Sequence, residues 1–265
     1  MTGDLFLVRE AAEGVAARVS PVNRSFVEAV DIEPFAASAL VLRSLAETWS
    51  SASFDPNEQL TSSPNGADLV TSVLGLHSIN DLPGALIQVR KMLKPDGLFV
   101  AALFGGATLS ELRESLAIAE IELTGGASPH VAPLGDVRDY GNLLQRAGFA
   151  LPVADVERTT VAYRDFHTLI HDLRAHAQSN SLTARTRQVI PRKVLAKAVA
   201  HYREHYGDPD GRLRATFDII YLAGFSPAES QPKPLRPGSA NVRLADVLGA
   251  REQVLRGGKK LRRDG

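Results

Sequence analysis

Four of the seven histidines in this sequence fall into two pairs spaced four residues apart, His167 with His171 and His201 with His205. On a helix that spacing brings two imidazoles to one face, where they could share a metal ion. A catalytic zinc takes three protein ligands, however, and no third presents itself beside either pair. Both pairs therefore read as surface or half-buried histidines, and no metal site is expected. His77 stands apart. It directly follows the apolar run 69–76, and ligands in open α/β sheets sit just outside the carboxyl ends of the strands, so a site role weighs equally with a packing or helix-capping one. The absence of cysteine excludes a thiol nucleophile, a disulfide framework and a thiolate metal site.

Residues 67–104 are the elements that must position His77. The run 69–76 is short and β-branched enough for a buried strand. Asp81 before Pro83 suits a helix N-cap with proline in the first turn, and Leu86, Ile87, Val89, Met92 and Leu93 give that helix one apolar stripe. Lys94, Pro95, Asp96 and Gly97 are expected to end it in a turn, and 98–104 forms a second continuous apolar run. A crossover of this length between two fully apolar strands makes a βαβ unit in a parallel sheet covered on both faces, so the fold class is α/β.

The segments DLVTS ending in Leu76 and His77, DLPGAL (81–86) and LKPDGLF (93–99) resemble two consecutive strand regions of the class I S-adenosylmethionine-dependent methyltransferases. Together with residues 125–155 and 229–240 they are similar to a bacterial and mitochondrial subfamily of that fold, one that includes a complex I assembly factor which hydroxylates an arginine of a partner subunit. The resemblance spans roughly residues 4–249. It implies a Rossmann-like, mostly parallel sheet with a shortened N-terminal half and a helical insertion before the last strand. It also implies S-adenosylmethionine as cofactor, a protein as substrate or partner, Asp31, Asp55, Glu58 and Leu76 as cofactor-binding residues and His77 at the reacting end. Asp31 takes the place of the family's leading acidic residue, and Asp55 and Glu58 resemble an acidic segment that lies near the adenine. The glycine-rich turn is missing: the first strand, 26–32, runs into Glu33, Pro34 and Phe35, and the next glycine is Gly66. Weak or lost cofactor binding is therefore expected, and the family resemblance leaves two functions open. One is a methyltransferase or hydroxylase-type relative; the other is a non-catalytic assembly factor on a methyltransferase scaffold. Methyl transfer would demand chiefly in-line alignment and exclusion of water.

Around that core the periodicity predicts helices over 4–18, 35–49, 109–123, 137–147, 165–178 and 192–206, and strands over 153–163 and 214–223. Between residues 32 and 68 there is room for one short strand, placed near 52–55, and the family's second strand is expected to be missing. The region 165–207 is assigned as a helical lid, within one domain of residues 1–250. Residues 226–237, with four prolines, Lys233 and Arg236, should form an extended basic strip. The basic tail, 251–265, is expected to be disordered. Thirty basic residues balance thirty acidic ones, which argues against whole-surface attraction to nucleic acid. No apolar run approaches the roughly 20 residues of a bilayer crossing, the N-terminus lacks the layout of a secretory signal, and a cytoplasmic location is expected.

Overall fold

The computed structural model describes residues 5–61, 66–175 and 189–232. The chain divides into a unit of residues 1–229 and one of 230–265, and the sheet with its helices belongs to the first. The basic strip beyond residue 232 and the 251–265 tail lie outside the described residues. The elements run α1 (Phe6–Val19), β1 (Phe26–Ile32), α2 (Ala36–Leu42), β2 (Ala46–Ala52), β3 (Ala67–Val73), α3 (Leu82–Met92), β4 (Leu93–Phe104), α4 (Ser110–Thr124), α5 (Val137–Arg146), β5 (Ala150–Tyr163), α6 (Phe166–Ala175), α7 (Arg192–Tyr206) and β6 (Leu213–Phe225).

Six strands form one sheet in the order β2-β1-β3-β4-β6-β5. The pairs β1–β2, β1–β3 and β3–β4 are parallel, while β6 runs antiparallel between β4 and β5. β4 shows why the centre is stable. Successive side chains point to opposite faces: Leu98, Val100, Ala102 and Phe104 join the core beneath α1, α4, α6 and α7, whereas Phe99, Ala101 and Leu103 join the core beneath α3 and α5. A strand buried on both faces has no polar positions to show, which is why the sequence reads as an unbroken apolar run. Asp81 caps α3 as expected, its Oδ1 accepting from the Gly84 N–H at 3.0 Å.

Two local expectations are corrected. The helix expected over 35–49 stops at Leu42; residues 43–45 tighten into a 3-10 turn, and Ala46 is already extended. Thr48 and Trp49 favour a pleated surface, and all of β2 lies alongside β1, from Phe26 opposite Ala46 to Ile32 opposite Ala52. Thus a strand does occupy the place beside β1, and among the described residues no further strand pairs outside it. Residues 94–97 do not form a turn outside the sheet. They lie within β4 as an irregularity, the register jumping from Ala67 opposite Leu93 to Leu69 opposite Leu98, with Asp96 at φ +64°. The N-cap of α4 is Leu109 at φ +54°, and the preceding Thr108 hydroxyl is engaged with both the N–H and the carbonyl of Asp218 on β6.

Candidate functional site

A cleft of about 1380 Å³ opens at the carboxyl ends of β1, β3 and β4. Glu33, Pro34 and Phe35 follow β1 into it, Leu74, Gly75 and His77 follow β3, and Phe104, Thr108 and Leu109 follow β4. Its other wall comes from α6, α7 and the 130–134 loop, through residues that include Phe166, Ile170, Leu195 and Val131. The region 165–207 therefore contributes to the same cavity as His77.

His77 lies in a 3-10 turn, Leu76–Ser78, that ends the β3 excursion. Its ring meets Phe104 edge-on at 5.1 Å, so the end of β4 fixes its orientation from below. Glu33 lines the same cleft. It is held at φ +54°, a left-handed conformation that costs a non-glycine residue about 1 kcal/mol or more. Two bonds hold it there: its N–H reaches the Ala52 carbonyl at 2.9 Å and its Oε1 accepts the Phe54 N–H at 2.7 Å. Gly75 makes room for it, since a Cβ at that position would come within 2.7 Å of the Glu33 Cβ. Glu33 and Gly75 were not among the expected site residues. The signal for Glu33 is its place directly after β1, where the family resemblance implies a glycine.

The remaining expected residues are placed elsewhere. Asp31 is buried between β1 and β3, accepting from the Thr71 hydroxyl at 2.9 Å, and does not line the cleft. Burial pushes its carboxyl up to about 6, against partial relief from the Thr71 and Ser38 hydroxyls. Leu76 is fully buried in the core under α3 and α5. Asp55 closes its own loop, Oδ1 accepting from the N–H groups of Asn57 and Gln59 at 2.9 and 2.8 Å. Glu58 ties that loop to the start of α3 through the Asn80 and Asp81 N–H groups, both at 2.7 Å. The Asn80 side-chain amide, which also donates to Glu58 at 2.9 Å, and then these two N–H groups keep its carboxyl below the usual range. Among the five, His77 is the residue the structure brings into the cleft.

Of the paired histidines, His167 lines the cleft, while the other pair is engaged locally. His201 and His205 stack at 4.0 Å, with the His201 Nδ1 at 3.1 Å from the Ser115 hydroxyl. Among the described residues no three His, Asp or Glu side chains are grouped to hold a metal. No helix of the described residues is long and apolar enough to cross a membrane.

Residues 11–152 match the family model described as "Methyltransferase domain". The chain belongs to the methyltransferase domain family. It is 40% identical over 226 residues to the protein named arginine-hydroxylase NDUFAF5, mitochondrial, of Danio rerio, a match covering 85% of this chain and 70% of the relative. To the human protein of the same name it is 37% identical over 276 residues, covering 96% of this chain and 79% of the relative. The YcgJ protein of Bacillus subtilis, at 11% identity, superposes with a TM-score of 0.53 over 82% of this chain and 99% of its own, which supports the Rossmann-like fold. The cytoplasmic expectation is corrected by these relatives, which are mitochondrial and so point away from the cytoplasm. Balanced charge and missing cysteine carry no address, so composition could not have supplied one.

S-adenosylmethionine is the cofactor this family implies, and the residues present do not fit a tightly held one. Its amino-acid end needs backbone N–H groups to replace the water around its carboxylate. Here the Glu33 N–H is already bonded to Ala52, and Pro34 has none. The Glu33 carboxylate also lines this cleft, and a like charge there disfavours an anionic group. On the ribose side, Ser53 and Phe54 rather than a carboxylate follow β2, and the next acid, Asp55, is committed to its turn.

Proposed function

We propose that this methyltransferase-fold protein modifies a protein substrate by taking an arginine side chain into the cleft, and that it binds S-adenosylmethionine weakly. Glu33 carries the proposal. Its Oε1 is held by Phe54, while Oε2 faces no hydrogen-bond partner among the described residues. A carboxylate fixed in this way at the strand ends suits a guanidinium, since charge-assisted bonds to Arg are strong and directional. His77 lies on the same floor, wedged against Phe104, where it can meet the presented side chain. The names of the relatives, arginine-hydroxylases, support this class of substrate. The substitution that weakens the methionine end of the usual cofactor site thus supplies the group that recognises a cation. We further propose that α6 and α7 act as a lid over the cleft, by analogy with insertions at this place in the fold.

The test is mass spectrometry of whole-cell protein from strains that carry the chain, lack it, or carry Glu33→Gln. An arginine that gains one oxygen or one methyl group only when the wild-type chain is present is the expected result. The same modification pattern in all three strains overturns the proposal.

A further inference from the structure

The upper half of the cleft is built differently from its floor. Phe166, Ile170 and Leu173 recur at helical spacing along α6 and form an apolar wall, faced by Leu112 and Leu116 of α4. The acidic groups near this wall are already engaged. Asp165 caps α6, its Oδ1 accepting the Thr168 N–H at 2.7 Å and hydroxyl at 2.9 Å, and its Oδ2 accepts from Arg164. His130 is matched by Glu120 at 3.2 Å. Two guanidiniums that line the cleft, Arg174 and Arg203, are exposed and have no ion-pair partner among the described residues. They stand at opposite ends of the wall. Arg203 also lines a smaller hollow with Arg164 and Asp165, at the start of α6, whereas Arg174 lies in its last turn. Eight residues of helix separate those ends, a rise of about 12 Å.

From this spacing we propose that the wall binds a peptide segment of apolar residues flanked on each side by an acidic one. An extended chain covers about 12 Å in three to four residues, so such a segment puts one carboxylate at each guanidinium and its apolar side chains against Phe166, Ile170 and Leu173. A single-headed amphiphile, such as a fatty acid, could fill the apolar wall but would use only one of the two arginines. The inference rests on the protein-substrate reading above and deepens it: Glu33 receives the target side chain, and α6 reads the residues around it.

The experiment is fluorescence anisotropy with the full chain and a labelled peptide carrying a Leu-Phe-Leu core between two aspartates. A peptide with lysines in place of the aspartates is the counterpart, and laurate is the competing amphiphile. Charge reversal of Arg174→Glu or Arg203→Glu should weaken the aspartate peptide about fivefold each, as for exposed ion pairs. The double variant should prefer the lysine peptide. Both arginines are exposed, so the melting temperature should stay at the wild-type value, and the swapped preference shows that a folded variant still binds. Equal binding of both peptides to wild type, affinities indifferent to the reversals, or laurate binding without peptide binding each overturns the inference. Failure here is separable from failure of the function. If arginine modification in cells persists without any peptide binding, this inference alone falls; if charge-swapped peptide binding is seen without modification, the proposed chemistry falls instead.

Discussion

Replacing Asp31 with asparagine should remove a pH dependence that the buried carboxylate builds into the fold. Asp31 is 5% exposed, and burial raises its pKa from 3.8 to about 6. A raised folded pKa means that the native state holds the proton more tightly than the unfolded chain does. Its contribution is therefore full below about pH 4 and lost as the pH climbs through 6. A displacement of roughly 2 in pKa corresponds to ~3 kcal/mol between those limits. Asparagine keeps an acceptor for the Thr71 hydroxyl but never ionises. Urea denaturation of both proteins at a series of pH values from 4 to 8 isolates the effect, because every other group titrates alike in the two. Wild type should lose about 3 kcal/mol relative to Asp31→Asn across this range, and the variant should be the more stable at pH 8. Parallel stability profiles would show that Asp31 titrates normally and that the buried-carboxylate argument is wrong.

Val73→Asp places a carboxylate at a position 1% exposed in the centre of the sheet, and should cost about 4 kcal/mol or more by thermal or chemical denaturation. Gly75→Ala drives a Cβ against that of Glu33, two atoms with no rotamer to escape into; a loss of about 1–2 kcal/mol is expected, together with weaker binding of an arginine-containing substrate. Arg18 stacks on Tyr221 at 3.5 Å and pairs with Asp155 and Glu157, tying α1 to the far edge of the sheet. Arg18→Ala should therefore lower stability by about 1–2 kcal/mol, less in high salt, as read by denaturation at two ionic strengths. If α6 and α7 serve as a lid, their amides should exchange with solvent faster than those of β3 and β4, and equal protection would count against that role.

The central βαβ unit was legible because each of its signals has a local cause: an apolar run buried on both faces, a carboxylate and a proline at the start of α3, and a stripe that faces one core. The α2–β2 boundary was not legible, since alanine and leucine through residue 46 suit a helix and the strand exists only through its ladder with β1. Leu109 as a left-handed N-cap was hidden for a similar reason, because Thr108 bonds across to β6, 110 residues away. The site divides in the same way. His77 could be placed from strand position alone. Asp31 matched the family's acidic position, but its burial beneath Thr71 is a property of packing. Arg174 and Arg203 carry no motif, and only the fold of the insertion brings them to one wall.

Weak S-adenosylmethionine binding, as proposed above, follows from residues 33–35. Calorimetric titration of the purified chain with S-adenosylmethionine tests it most directly. Two lost hydrogen bonds to a charged group, at roughly 1.5–3 kcal/mol each, move a micromolar site into the millimolar range, where little or no heat would be seen. Glycines at Glu33 and Pro34 should not restore tight binding, because the residues after β2, Ser53 and Phe54, still offer no carboxylate to the ribose. A dissociation constant at or below about ten micromolar for the wild-type chain would contradict the account.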